Sequence, residues 1–416
     1  MNKIPENWIT YKISDLCDFQ NGYAFNSSDY VEEGMPIIRM SNISIDGNLN
    51  LTSENTKYYP REKVEILKKY VLNKNDVVMA MTDMTKDMGI IGKTAIIDED
   101  NKYLLNQRVG RLIIKNPKIL DYKYLHRYTN SPRFLDYAKQ QCSGGVQLNL
   151  STKAILNHKI ILPSTIEEQQ EIVQVLDTMN DIIRLRKECI SHAQDLIPAL
   201  FQEMFGDINN NVTKSNIVRF RNCIELNPAK PNLKDNLNVT FLGMKDISEN
   251  GQVNLSTIKM YEDVKKGFTN FENEDVLLAK ITPCFENGKA AIVRNLTNGY
   301  GFGSTEFYVL RPHKKLILPE YVYSIIKSHS FAEPGKYKMV GAAGQKRLPK
   351  EYVLNYKFPL PSIELQEQFA EKVRAINSYI KEQNEELENA KQMFQSLLHH
   401  AFTGKLTSKK DGECNE

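Results

Sequence analysis

The sequence predicts an α+β protein. Two mixed α/β domains are separated by two long helices that form an antiparallel coiled coil, and the whole is an internal pseudo-twofold repeat. Three observations predict this. A chain of 416 residues is longer than one core usually covers. Segments recur at an offset of about 197 residues. Two stretches of roughly forty residues alternate apolar positions at spacings of four and three, the period that coiled-coil packing requires. The expected bounds are 1–163 for the first domain, 164–207 for the first helix, 208–361 for the second domain, 362–405 for the second helix and 406–416 for a polar tail.

In the first domain, the β-rich runs 36–40, 76–81, 94–97 and 109–114, bounded by Gly and Asn, read as strands. Helical patterns near 121–139 and 319–332 make each domain mixed. The domains repeat faintly. Gly92-Lys93-Thr94-Ala95-Ile96-Ile97 matches Gly288-Lys289-Ala290-Ala291-Ile292-Val293, and the stretch from Asn75 to Ala80 matches Glu274 to Ala279. The run from Ser143 to Leu150 matches Gly341 to Leu348.

The helices repeat clearly. Ile161-Leu162-Pro163-Ser164 leads into one and Pro359-Leu360-Pro361-Ser362 into the other. Ser164 and Glu167 have capping-box spacing, whereas Ser362 has Leu365 at the third helical position. The first seam reads Ile172, Leu176, Met179, Ile183, Arg186, Ile190, Ala193, Ile197, Leu200, Met204. The second reads Phe369, Val373, Ile376, Ile380, Gln383, Leu387, Ala390, Phe394, Leu397, Ala401. Arg186 and Gln383 break the two seams at equivalent places, as a polar layer that fixes register would. At about 1.5 Å per residue each helix makes a rod of about 60 Å. Pro198 should kink or end the first.

The composition, 41% hydrophobic and 25% charged, suits packed cores. No run approaches the roughly 18 apolar residues of a membrane span, and Met1-Asn2-Lys3-Ile4-Pro5 opens no apolar leader. Cys17, Cys142, Cys189, Cys223, Cys284 and Cys414 form no metal-type pair, which points to reduced thiols in a cytoplasm. A net charge of +3 excludes coating nucleic acid by charge alone and leaves local basic surfaces open. No catalytic constellation emerges. Gly89-Ile90-Ile91-Gly92-Lys93-Thr94 suggests a phosphate loop, but Asp87 stands where its first glycine belongs. Gly299-Tyr300-Gly301-Phe302-Gly303 lacks the βαβ context of a dinucleotide site and reads as a flexible loop. His126, His158, His192, His313, His329, His399 and His400 have no ligand spacing. The residues point away from an enzyme.

The order of these motifs, twice over, resembles the DNA-specificity subunits of Type I restriction-modification systems across about residues 7 to 406. Its carriers are the two Pro-Ser helix starts followed by Glu167-Glu168-Gln169 and Glu364-Leu365-Gln366, and the helix ends from Leu200 to Gly206 and from Leu397 to Gly404. Gly22-Tyr23-Ala24-Phe25 and Gly303-Ser304-Thr305-Glu306-Phe307 add to it, although the second domain opens differently, with Asn227-Pro228-Ala229-Lys230. The resemblance implies two target-recognition domains, each reading one half of a bipartite site in double-stranded DNA, and spacer helices that dock two methyltransferase subunits, with restriction-translocase subunits completing the complex. A methylation-only or bifunctional system is the alternative. Cofactors would belong to those partners (S-adenosylmethionine, ATP and Mg), none to this chain.

A reader of DNA offers Arg or Lys to guanine and Asn or Gln to adenine, and other basic groups to phosphates. The candidates in the first domain are Arg39, Ser41, Asn42, Thr82, Thr85, Lys86, Lys93, Gln107, Arg108, Gln147 and Asn149. In the second they are Lys245, Lys280, Thr282, Lys289, Ser304, Thr305, Gln345, Lys346 and Arg347. Gln147 and Gln345 stand out because both follow a glycine-rich loop at equivalent places; Lys93 and Lys289 are also equivalent, but a structural salt bridge would account for them as well.

Overall fold

The computed structural model describes residues 7–85, 87–143, 148–208, 216–342 and 344–406. The chain forms two compact units: the chain up to Arg186 together with the stretch from Glu386, and Lys187–Glu385. Each contains one α/β domain, the beginning of one long helix and the end of the other.

In the first unit a four-stranded sheet runs Cys17–Asn21, Val109–Ile114, Val77–Ala80, Thr94–Ile96, all antiparallel. A second runs Lys57–Tyr59, Met35–Ile38, Tyr103–Leu105, Val71–Leu72, with its central pair parallel. Trp8–Lys12 pairs with Lys159–Pro163 and brings the two ends of the domain together. Successive side chains of a strand face opposite ways, and Val77–Ala80 uses both faces. Val77 and Met79 pack in a core with helical residues Tyr124, Tyr128 and Phe134, while Val78 and Ala80 enter a separate core with Ile38 and Leu105.

The second unit repeats this order. One sheet runs Ile224–Leu226, Phe307–Pro312, Val276–Ala279, Ala290–Ile292; the other runs Ile258–Met260, Asn238–Leu242, Tyr300–Gly303, Thr269–Glu272. Ile217–Arg219 pairs with Lys357–Pro359. Val276 and Leu278 face one core, Leu277 and Ala279 the other. Half-buried ion pairs recur as well: Arg111 to Asp76 at 2.8 Å, and Arg311 to Asp275 at 2.9 and 2.8 Å. The Gly-Lys match now has a cause, because Gly92 and Gly288 both take positive φ (74° and 71°). A Cβ on Gly92 would also lie 2.9 Å from that of Ala138.

The structure corrects the reading of 299–303 as a flexible loop. Tyr300–Gly303 is a central strand. Its glycines admit close neighbours, since a Cβ on Gly301 would fall 2.0 Å from the Phe271 ring and one on Gly303 2.3 Å from the Leu242 carbonyl oxygen.

The long helices span Ile166–Phe205 and Ile363–Ala401. The first is capped by Thr165, whose hydroxyl accepts from the Glu168 N–H at 3.3 Å, and not by Ser164. Glu168 instead accepts from Asn7 Nδ2 and Trp8 Nε1. Ser362 caps the second helix as expected. Every seam position in both helices is buried or half-buried. In the first unit Ile172 and Leu176 share a core with Leu398, Ala401 and Phe402; in the second Phe369 and Val373 share one with Phe201. Arg186 pairs with Glu386 within the first unit, and Gln383 is half-buried. Pro198 does not end the helix, which continues to Phe205. The turns beyond it are anchored by Phe201 and Phe205, whose rings lie 5.6 and 5.2 Å from that of Phe369.

One further repeat lies at the helix starts. Gln169 and Gln366 are both 0% exposed. Gln169 accepts from the Asp121 N–H (3.0 Å) and donates to the carbonyls of Ile119 (2.9 Å) and Pro163 (3.2 Å). Gln366 repeats the pattern with Leu318, Leu316 and Pro361.

Two buried histidines make the first unit acid-sensitive. His126 sits against Thr94 and Asn130, and His158 against the Tyr128 hydroxyl at 2.9 Å. Burial holds His126 down at about 3 and His158 down at about 4. These values lie below that of an unfolded imidazole, so the unfolded chain takes up the proton first. The associated stability is complete above about pH 6.5 and falls as pH drops toward the folded values, by about 1.4 kcal/mol per pH unit for each histidine. Denaturant unfolding at about pH 7 and pH 5 should therefore show a lower midpoint for the first unit in acid. Equal midpoints would contradict it.

Candidate nucleic-acid interface

In the first unit the candidates converge on one strand end. Val77–Ala80 continues into Thr82–Asp83, which pairs with Leu148–Asn149. The Ala80 N–H donates to the Lys93 carbonyl, Met81 to Arg108 and Leu150 to Met81, at 2.9, 3.0 and 2.8 Å. Arg39 follows the neighbouring strand Met35–Ile38, and the parallel strand beside it leads to Gln107. Gln107, Asn149, Ser41 and Thr85 are exposed, and Arg39, Lys93 and Arg108 half-buried. Burial lowers the pKa of the Lys93 ammonium, with nearby Asp46 opposing the shift and Lys139 adding to it.

Two candidates are corrected. Asn42 is 0% exposed; its oxygen accepts from the Arg39 N–H and its amide donates to the Asn50 carbonyl and to Asn55 Oδ1. Thr82 is also buried, with its hydroxyl on the Met40 sulfur. Both side chains build the loops and do not face outward. Lys86 and Gln147 lie outside the described residues.

The second unit assembles its candidates at the equivalent place. After Val276–Ala279, the Lys280 N–H donates to the Glu306 carbonyl, Leu348 to Lys280 and Thr282 to Lys346, at 2.9, 2.8 and 3.0 Å. The Ser304 N–H donates to the Leu242 carbonyl at 3.1 Å, which places Ser304 and Thr305 beside the segment carrying Lys245. Lys245, Thr305, Gln345, Lys346 and Arg347 are exposed. Lys280 stands 5.0 Å from the Tyr308 ring centroid, where burial lowers its pKa against the pull of Glu306. Three candidates are engaged within the protein. Lys289 donates to the Met244 carbonyl (2.9 Å), the Ser304 hydroxyl accepts from the Glu306 N–H (3.2 Å), and Arg347 forks onto Glu306 at 2.9 and 2.7 Å. The Thr282 hydroxyl oxygen is buried without a hydrogen-bond partner.

Sequence reasoning did not single out two carboxylates at these sites, Asp83 and Glu306. The sign of Glu306's role was its place in the run Gly303–Phe307; Asp83 gave none. Among the described residues no group of three or more His, Cys, Asp or Glu side chains could hold a metal ion, and no helix is long and apolar enough to cross a membrane.

Comparison with known proteins places this framework. The model of the Type I restriction modification DNA specificity domain matches residues 5–192 and again 217–389. The EcoAI Type I restriction enzyme specificity subunit of Escherichia coli is 43% identical over 145 residues, 34% of this chain and 24% of that subunit. The EcoBI specificity subunit of the same organism is 22% identical over 442 residues, covering 97% of this chain and 87% of the subunit. This chain spans about a quarter of the EcoAI and EcoEI subunits (24% and 23%). The crystal structure of a Type-I restriction-modification system S subunit from M. genitalium shares the fold, with a TM-score of 0.57 at 15% identity over 97% of each chain. A structure described as bearing on complex assembly and conformational transition of the type I R-M system gives 0.58 over 97% of this chain and 99% of that one, also at 15% identity. With both halves matched by one family model, the chain belongs to the Type I restriction modification DNA specificity family.

Proposed function

We propose that this chain is the recognition component of a Type I restriction-modification system: it reads two half-sites of double-stranded DNA separated by a non-specific spacer and catalyses nothing itself. The observation that carries the reading is a repeated framework with unlike chemistry at equivalent strand ends. Arg39, Gln107, Arg108 and Asn149 stand in one domain, and Lys245, Lys280, Thr305, Gln345 and Lys346 in the other. Each set carries donors suited to base edges and phosphates. The long helices would form an antiparallel coiled coil that sets the half-site separation by pseudo-twofold symmetry and docks two methyltransferase subunits, with restriction-translocase subunits added in the cytoplasm. S-adenosylmethionine, ATP and Mg would act in those partners.

Domain replacement tests this. Exchanging residues 1–160 for the same region of another family member is expected to change one half-site in the methylome and leave the other. A change in both half-sites would contradict independent reading. Sequence-specific shifts of duplex DNA, lost as salt rises, are expected of the assembled complex.

A further inference from the structure

A carboxylate repels phosphate unless it accepts from a base such as cytosine, yet each candidate reading surface contains one. Both are turned onto the protein. Asp83 is 1% exposed. Its Oδ1 accepts from the Thr85 N–H at 2.8 Å and the Thr85 hydroxyl at 2.7 Å, and its Oδ2 accepts from the Ile90 N–H at 2.9 Å. The adjacent strand residue Leu148 pairs with it and leads to Asn149. Burial pushes its carboxyl up, but the bonds from Ile90 and Thr85 outweigh that and hold it below the ordinary range.

Glu306 uses different means on the matching surface of the second unit, on the segment that corresponds to that of Arg108 and not to that of Asp83. It accepts from Arg347 Nε and Nη2 at 2.9 and 2.7 Å. Arg347 in turn exchanges backbone bonds with Val340 at 2.8 and 3.0 Å, which closes the segment presenting Gln345 and Lys346. The Lys346 carbonyl takes the Thr282 N–H, and the Glu306 carbonyl takes that of Lys280. The ion pair therefore joins two of the three segments of this surface, and backbone bonds tie the third, 280–282, to both.

We propose that Asp83 and Glu306 are positioning residues for DNA reading. Asp83 fixes Thr85 in the first domain; Glu306, through Arg347, fixes Gln345 and Lys346 in the second. Arg347 is the strut in this pairing: Glu306 holds its Nε and one Nη2 hydrogen, so only the Nη1–Nη2 edge is left to meet a base. The inference rests on the reading of this chain as a DNA-recognition subunit.

Electrostatics alone and positioning predict opposite signs. Asp83→Asn or Glu306→Gln removes a negative charge near phosphates, so charge alone would raise affinity for any duplex. Positioning instead lowers discrimination at one half-site. The experiment uses the full chain assembled with its methyltransferase subunits and three duplexes: cognate, first half-site scrambled, second half-site scrambled. E306Q is expected to cut discrimination at one half-site by about tenfold and leave the other unchanged, and D83N to do the same at the opposite half-site. Arg347→Lys, which keeps a charge on Glu306, should retain part of what Arg347→Met loses. Unchanged discrimination with raised non-specific affinity would overturn the proposal. So would equal losses at both half-sites with a lowered unfolding midpoint. If the wild-type complex discriminates neither scrambled duplex from the cognate, DNA reading itself fails.

Discussion

Gln366→Ala is expected to destabilise the second unit by about 3 kcal/mol, and Gln169→Ala the first by a similar amount. Each side chain is fully buried and hydrogen-bonds three backbone groups. For Gln366 these are the Leu318 N–H at 2.9 Å and the carbonyls of Leu316 and Pro361, both at 3.0 Å. Truncation strips those bonds from interior groups, at about 1–3 kcal/mol for each left unpaired, less what an entering water recovers. The position is sensitive for a second reason: Leu318 precedes Pro319, the first residue of the helix Pro319–Lys327, so the amide fixes where that helix starts. Denaturant unfolding of the two variants checks this. Losses under about 1 kcal/mol would show that water replaces the amide. Gln366→Glu keeps the acceptor but sets a buried carboxylate against the Leu316 and Pro361 carbonyls, so at neutral pH it should cost at least as much as alanine.

What the sequence made legible follows from what leaves a periodic trace. The helix seams repeat over many turns, so one misplaced residue does not hide them; only the first cap was misassigned, to Ser164 in place of Thr165. The strand ends leave no such trace. Thr82 and Thr85 are three positions apart with the same side chain, yet one is interior and the other exposed, because Thr82 lies within a strand pair and Thr85 just beyond it. Asn42 matched the chemistry of an adenine reader and is instead consumed by its own loop. Two adjacent glutamines at the first helix start show the same limit: Gln169 is buried while Gln170 is exposed, and only the fold decides which. The glycines at 299–303 suggested a flexible loop because a close approach of Phe271 and Leu242 cannot be seen in one dimension.

The structure also sharpens how the spacer can be tested. At about 1.5 Å per residue, four added residues lengthen a helix by about 6 Å, nearly two base pairs at about 3.4 Å each. An insertion confined to the first helix, between residues 165 and 197, would shift its seam against the partner's and pull apart contacts that each unit makes between the two helices. The chain passes between units twice, at Arg186 to Lys187 and at Glu385 to Glu386, and each unit keeps the start of one helix packed with the end of the other. Matched insertions of four residues at both crossings preserve those cores. The expected result is a methylome whose two half-sites are unchanged and whose spacer is longer by about two base pairs. The single insertion is expected to lower stability and reduce methylation. An unchanged spacer in an active double insertion, or altered half-sites at the original spacing, would show that the helices do not set the distance between the bases read.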